Sequence, residues 1–290
     1  MKTVIKRKCL FVLIYFVLIA GQCHSQTTKA DSLLDVFANH PEQIMVTAHR
    51  AAHQLYPENS LAALNEAIRL GVDIVETDIR QTKDHVLVIM HNDKVDHPTN
   101  GKGELTDYTY KQLCELRLLQ DGTPTNEKVP TLEQYLMAAR GKILVDLDFK
   151  LDDDDALERT FEIIEKTNTV NQVLFFLYDY KKMVTVHEIN KKIKIMPRAY
   201  TPADVEAILN MNIARVIHID ESFYSDSQMR SIRDKHVRIW SNALGKYDDL
   251  QSSTNTGFKA LLTNTQFVNV IQTNLPAACL KYLKEKGAHK

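Results

Sequence analysis

Little in this sequence commits it to a specialised class of protein. It has four cysteines and one tryptophan among 290 residues, and no pair of cysteines stands at zinc-ligand spacing. Cys9 and Cys23 fall in an N-terminal leader. That leaves Cys114 and Cys279, whose separation lends no geometric support to a bridge, so two buried free thiols are expected. Neither an internal repeat nor a low-complexity linker breaks the chain. No basic run occurs beyond the leader; without Lys2, Lys6, Arg7 and Lys8, 32 basic side chains face 37 acidic ones, a net charge near −5. That balance argues against nucleic acid as a partner. Long apolar runs are also missing. The apolar stretch from Cys9 to Ala20 is about twelve residues, too short to span a bilayer. Behind a basic start and ahead of the polar-to-small exit Gly21-Gln22-Cys23-His24-Ser25, it predicts a signal peptide over 1–25, cleaved after Ser25. The mature chain is then secreted or periplasmic, with no stable membrane insertion. A lipoprotein anchor on Cys23 is disfavoured, because Gln22 stands where a small residue is expected.

What is present is an alternation. After a lead over 26–43, helical around 32–37, apolar strands are expected at 44–48, 73–79, 143–149, 173–177, 193–197, 213–219, 237–240 and 267–272. Helical stretches separate them, at 60–68, 132–139, 153–166, 202–210, 225–235 and 276–286. Strands alternating with helices indicate a parallel α/β domain over 44–290, and a count of eight favours a closed barrel. The tract 92–128 interrupts the rhythm with Pro98, Gly101, Gly103, Gly122 and Pro124, and reads as an insertion with one short helix at 108–119. The acidic run Asp152-Asp153-Asp154-Asp155 resembles a metal loop, but it opens a helix, where acidic side chains complement the positive end of the dipole.

The densest chemistry lies between Ala48 and His91. Ala48-His49-Arg50 is followed by Pro57-Glu58-Asn59-Ser60, by Glu76-Thr77-Asp78, by Thr82-Lys83-Asp84, and by His91 at the end of the apolar run 86–90. Glu76 and Asp78 are two apart in a strand and so share a face. Two carboxylates side by side call for a cation between them, and oxygen donors suit a hard divalent ion. Lys83-Asp84 reads most simply as a turn between strands.

These segments, in this order, resemble the glycerophosphodiester phosphodiesterase family. Its pattern is approximately His-Arg-Gly, Pro-Glu-Asn-Ser/Thr, Glu-x-Asp-x-x-x-Thr-Lys-Asp-Gly and a strand ending in His-Asp. The resemblance continues through Thr99-Asn100-Gly101-Lys102-Gly103, Val129-Pro130-Thr131-Leu132-Glu133, Asp146-Leu147-Asp148-Phe149-Lys150, Ile239-Trp240-Ser241-Asn242 and Gln272-Thr273-Asn274-Leu275-Pro276. Departures are Ala51 and His85 for glycines, Asn92 for Asp, His97 for Arg, Asp148 for Glu and Asn274 for Asp. They indicate a divergent subfamily that retains its proton carriers.

The resemblance implies a TIM barrel and metal-dependent hydrolysis of glycerophosphodiesters to glycerol 3-phosphate and an alcohol. It implies His49 and His91 as the acid/base pair, and Glu76, Asp78 and Asp148 as ligands of one divalent cation, Ca or Mg. Arg50 and Lys150 would bind the substrate phosphate. Glu58 would act beside the metal or orient His49, and Trp240 is either core or a wall of the glycerol pocket. His53, His97, His187, His218 and His236 are expected to be structural or exposed. Two alternatives remain open. One is a phosphoinositide-type phospholipase or sphingomyelinase-like lyase on the same barrel; the other is a non-catalytic module binding a head group. With Tyr108 and Tyr110 the only aromatics on 92–128, a soluble, deacylated small-molecule substrate is favoured.

Overall fold

The computed structural model describes residues 27–289; the expected signal peptide and its cleavage point lie outside them. Helix α1 (Lys29–Asn39) precedes β1 (Met45–Ala48), α2 (Leu61–Leu70), β2 (Ile74–Gln81) and β3 (Leu87–Ile89). Next come α3 (Tyr110–Leu113), the small hairpin β4 (Leu119–Gln120) and β5 (Thr123–Pro124), and α4 (Leu132–Ala139). The alternation then runs β6 (Leu144–Phe149), α5 (Asp154–Lys166), β7 (Val173–Leu177), α6 (Met183–Ile189), β8 (Lys194–Pro197), α7 (Pro202–Met211), β9 (Val216–His218) and α8 (Asp226–Asp234). It ends with β10 (Arg238–Asn242), α9 (Lys246–Thr254), α10 (Gly257–Asn264), β11 (Val270–Thr273) and α11 (Pro276–Glu285). Among the described residues, no helix is long and apolar enough to cross a membrane.

Eight strands run parallel in the order β8-β7-β6-β2-β1-β11-β10-β9. The remaining seam is joined by a parallel bridge between Arg198 and His218, with the Ala199 amide donating to the His218 carbonyl at 2.9 Å. The fold is therefore a TIM barrel, with β3 added antiparallel to β2. Each expected strand is present within a few residues. The short helix expected at 108–119 is confined to α3, because the chain turns at Asp121 (φ 50°) and Gly122 (φ 77°) into the hairpin β4–β5. That two-residue Asp-Gly loop suits a hairpin whose turn needs positive φ. Three further helices had not been expected. The α6 segment is rich in β-branched residues, and α9 is mostly polar, so neither carries a clear apolar stripe; α10 follows α9 directly. Cys114 and Cys279 are free thiols.

Alternation along the strands divides the apolar side chains into two sets. Val46, Val75, Val145, Phe175, Ile195, Ile217, Ile239 and Ile271 face the helices. Met45, Ile74, Leu144, Leu174, Met196, Val216, Trp240 and Val270, one per barrel strand, meet inside the barrel as an apolar floor. Leu33 and Phe37 of α1 close that floor from below. The Arg238 side chain fixes the plug. Its Nε donates to the Phe37 carbonyl at 2.7 Å, Nη1 to those of Gln43 (3.1 Å) and Asn269 (3.2 Å), and Nη2 to those of Val36 and His40 (3.0 Å). Carbonyls at a helix C-terminus lack intrahelical partners, and the guanidinium supplies that of Phe37; those of Val36, His40 and Asn269 also accept the backbone amides of His40, Gln43 and Met45. Burial lowers the Arg238 pKa to about 10, which leaves it charged at neutral pH. Arg238→Met should strand the Phe37 and Gln43 carbonyls and cost about 2 kcal/mol or more, read as the shift of a urea unfolding curve. A change well below about 1 kcal/mol, the worth of a single hydrogen bond, would show that the plug is held by packing alone.

Candidate active site

Above the floor the barrel interior changes character. The same face of each strand, two residues further on, carries Thr47, Glu76, Asp146, Phe176, Arg198, His218, Asn242 and Gln272. One step beyond that stand His49, Asp78, Asp148 and Tyr178. Parallel pairing of β2 with β6 sets Glu76 opposite Asp146 and Asp78 opposite Asp148.

The turn after β1 positions the first histidine. Arg50 (φ 49°) and Ala51 (φ 65°) are both left-handed, which costs a non-glycine residue about 1–2 kcal/mol. The bend is held by the Ala51 amide, which donates to the carbonyls of Ala48 and Glu76, both at 3.2 Å, and by the Arg50 amide, which donates to Glu76 Oε2 at 2.9 Å. The Pro57-Glu58-Asn59-Ser60 segment then has a physical explanation. Ser60 caps α2, and Asn59 donates to Asp78 Oδ2 at 2.9 Å while accepting from the Thr77 hydroxyl at 2.7 Å. Glu58 accepts from Arg50 Nη1 at 2.9 Å. Of the two roles expected for Glu58, orienting His49 does not match its contact, because its partner is Arg50. Arg50 Nε lies 3.7 Å from Asp78 Oδ2.

One oxygen from each of Glu76, Asp78 and Asp148 lies within 4.8 Å of the other two. Burial raises the Glu76 pKa well above the carboxylate range, and the neighbouring Asp78 and Asp148 raise it further. Asp146, also buried, is raised by the same causes. Burial raises Asp148 too, against the pull of Lys150. The Lys150 ammonium donates to Asp148 Oδ2 and to the Tyr178 hydroxyl (2.6 Å), and lies 3.3 Å from Asp78 Oδ1. Burial works against its charge, but Asp148 and Asp78 outweigh that and hold its pKa above the ordinary lysine value. Tyr178 in turn donates to Asp148 Oδ2 at 2.8 Å; burial and that carboxylate push its phenol up to about 12. Oδ1 of Asp146 and Oδ1 of Asp148 are buried without a partner. Three clustered carboxylates and two unsatisfied oxygens are a donor set that fits a hard divalent cation.

His49 Nδ1 lies 2.8 Å from Asn274 Oδ1, and its Nε2 is 3.9 Å from Glu76 Oε2. Burial, with Arg50 adding to it, lowers its pKa to about 4. Asn274 is itself fixed, because its amide donates to Asp248 of α9 at 2.8 Å. His91 follows β3, pairs through Nδ1 with Asn92 Oδ1 at 2.9 Å, and gives its carbonyl to Arg80 Nε at 2.8 Å. Both histidines line one cleft with Glu76, Asp78, Asp146, Asp148 and Lys150. Trp240 does not line it. It is fully buried in the floor, with Nε1 donating to Gln272 Oε1 at 3.1 Å, because its strand position is one interior step below the polar layer. Tyr178 and Arg198, which no motif named, and His218, expected to be structural or exposed, line the same cleft. Their positions at or just past the ends of β7, β8 and β9 were the available signal, since such barrels gather functional groups there.

The model of the glycerophosphoryl diester phosphodiesterase family matches residues 49–238. The chain belongs to this family. A glycerophosphodiester phosphodiesterase of Bacillus subtilis is 32% identical over 138 residues, 43% of this chain and 46% of its own length. That of Caldanaerobacter subterraneus is 38% identical over 112 residues, 37% of this chain and 45% of its own length. The chain thus spans less than half the length of these curated relatives. Among solved structures, a glycerophosphoryl diester phosphodiesterase of Parabacteroides distasonis superposes with a TM-score of 0.77 at 24% identity, covering 90% of this chain and 93% of that one. An Oleispira antarctica phosphodiesterase in complex with sn-glycerol-3-phosphate gives 0.67 at 19% identity, covering 86% and 98%. These likenesses show the shared barrel.

The crowding of acidic residues at the head of the barrel has a measurable consequence. A carboxyl whose pKa is raised by folding costs nothing below its ordinary pKa of about 4 and destabilises as pH rises above it. In chelator, Asp146→Asn should therefore melt higher than wild type by roughly 2 °C or more at pH 7. The gap should close as pH falls toward about 4. A variant that melts lower than wild type at pH 7 would contradict this reading of the cluster.

Proposed function

We propose that this protein is an exported, divalent-cation-dependent phosphodiesterase that hydrolyses glycerophosphodiesters to glycerol 3-phosphate and an alcohol. The observation that carries the reading is the meeting of Glu76, Asp78 and Asp148 with His49, His91 and Lys150 in one cleft at the C-terminal ends of the strands. Export rests on the pattern of the first 25 residues. The substrate rests on family membership and on the product named in the Oleispira antarctica complex.

Glu76, Asp78 and Asp148 would hold the cation, whose charge would neutralise phosphoryl oxygens as negative charge grows there. Lys150 already lies against two of these carboxylates and would add a second positive charge beside the phosphate, with Arg50 contributing from the turn after β1. With Nδ1 directed at Asn274 Oδ1, the His49 proton resides on Nδ1 and Nε2 is left as the acceptor. His49 is therefore assigned the base that takes a proton from the attacking hydroxyl or water. His91 is assigned the acid that protonates the departing alkoxide. Glu58 holds the Arg50 guanidinium in place, a supporting role.

Turnover of glycerophosphodiesters should vanish in chelator and return with added Ca or Mg, and whichever ion restores it identifies the working metal. His49→Ala and His91→Ala should each lower kcat by about 10²-fold or more with unchanged circular dichroism, while His53→Ala serves as the control. Full activity after exhaustive chelation would overturn the metal assignment; near wild-type turnover in either histidine variant would overturn that residue's role. Asp148→Ala should raise the cation concentration needed for half-maximal rate, with excess metal restoring part of it. If only Asp146→Ala shifts that concentration, the third ligand is Asp146.

A further inference from the structure

The end of the barrel opposite the cleft carries a group of side chains that the proposed chemistry leaves unused. Three successive helix-to-strand connections converge there on a depression of about 560 Å³. Lys191 and Lys192 come from the turn after α6, Lys194 from the first position of β8, Arg215 from the residue before β9, and Lys235 from the end of α8. His187 of α6 and His236 stand with them. Phe37 and Ala38 of α1, with Ile193 and Ile213, supply its apolar part. Among the described residues, no carboxylate lines it.

Five lysine and arginine side chains gathered this way run against the balance of the chain, which is net acidic once the leader is set aside. Elsewhere on the surface lysines are paired: Lys166 with Glu133 at 2.8 Å, Lys182 with Asp152 at 3.4 Å, and Lys246 with Glu221 at 3.1 Å. Among the described residues, none of the five has such a partner. Lys194 shows the cost. It is half-buried and donates to the Asn171 carbonyl at 2.5 Å, and burial lowers its pKa to about 8 with no acidic neighbour to offset the shift. Lys150, held between Asp148 and Asp78, is shifted the other way. Like charges kept together at a loss of stability call for a counter-ion, and a concavity lined by one sign of charge concentrates anions. Ammonium groups meet phosphate as point charges, and Arg215 offers a fork that fits two of its oxygens. One phosphate would leave most of the five charges unmatched. Cations collected in a single depression, with no extended stripe, suit compact phosphoryl groups over a polynucleotide.

We propose that this basal depression is a second anion site, which takes a ligand presenting two or more phosphoryl groups, either a soluble polyphosphorylated compound or the clustered head groups of an anionic lipid surface. An occupant leaves the cleft open, because the cleft lies at the C-terminal ends of the strands and the depression at their N-terminal ends. Calorimetry on the whole protein in chelator, with inorganic pyrophosphate as the probe, tests one source; without metal the carboxylates of the cleft repel anions. Sedimentation with vesicles of equal parts phosphatidylglycerol and phosphatidylcholine, against pure phosphatidylcholine, tests the other. Wild type should bind at least one probe, more weakly as salt is added. The combined variant Lys191→Gln, Arg215→Gln and Lys235→Gln changes only exposed side chains. It should bind that probe about tenfold or more weakly, with diester turnover as in wild type. Lys194→Met should weaken binding in the same direction. Charged vesicles carried down by wild type and not by the variant identify lipid head groups as the source; pyrophosphate binding alone identifies a soluble ligand. Wild type that takes neither probe, or a combined variant that keeps wild-type affinity, overturns the site. Neither outcome depends on turnover at the cleft, so this site and the phosphodiesterase reading can fail independently.

Discussion

Four carboxylates, Glu76, Asp78, Asp146 and Asp148, share the interior of one barrel on two adjacent strands, and the arrangement around them can be understood as the means of tolerating that crowding. Like charges at this separation in a poorly solvated lumen repel strongly and favour the protonated form. Lys150, Tyr178, Asn59 and the Arg50 amide each place a donor against this cluster. What they leave unsatisfied is a set of hard oxygen atoms suited to a divalent cation. Stability given up in this layer is what a cation-binding site requires.

That concession is affordable because the layer below is strictly apolar. Eight side chains, one per strand, fill the floor with Leu33 and Phe37 beneath them. Arg238 ties the helix that carries the plug to the barrel's lower rim through five carbonyls. Packing at the base and unsatisfied polarity at the mouth follow the usual division of labour in such barrels. Here the change from one to the other takes a single interior step of two residues.

Most of the barrel could be read in advance, because strands buried on both faces appear as short apolar runs between helical stretches. The 44–48 and 173–177 runs are of this kind. Where that signal was weak the reading faltered. Helix α9 is largely polar, and its existence depends on packing against α10 and the barrel. Yet it carries Asp248, which fixes Asn274, which in turn contacts His49. The β4–β5 hairpin turned on Asp121-Gly122, a short local signal lost inside a tract taken as an insertion. For the site, the alternation of Glu76 and Asp78 and the placement of both histidines at strand ends were visible from spacing. The Glu58–Arg50 contact and the choice between the two readings of Trp240 were not, because a motif names residues without saying what each one touches.

Local facts follow from residue order alone: which residues alternate, where strands end, which carboxylates share a face, and which family the ordered segments resemble. Tertiary structure decided everything that depends on two strands meeting. Register between β2 and β6 placed Asp148 beside Asp78. Strand depth sent Trp240 to the floor while Gln272 and Asn242 line the cleft. Closure of the β8–β9 seam brought Arg198 beside His218 across from the carboxylates. The physical reason is that side-chain direction along a strand has a period of two and can be read locally. Which atoms then oppose one another across a barrel is set by register and curvature, which no single strand encodes.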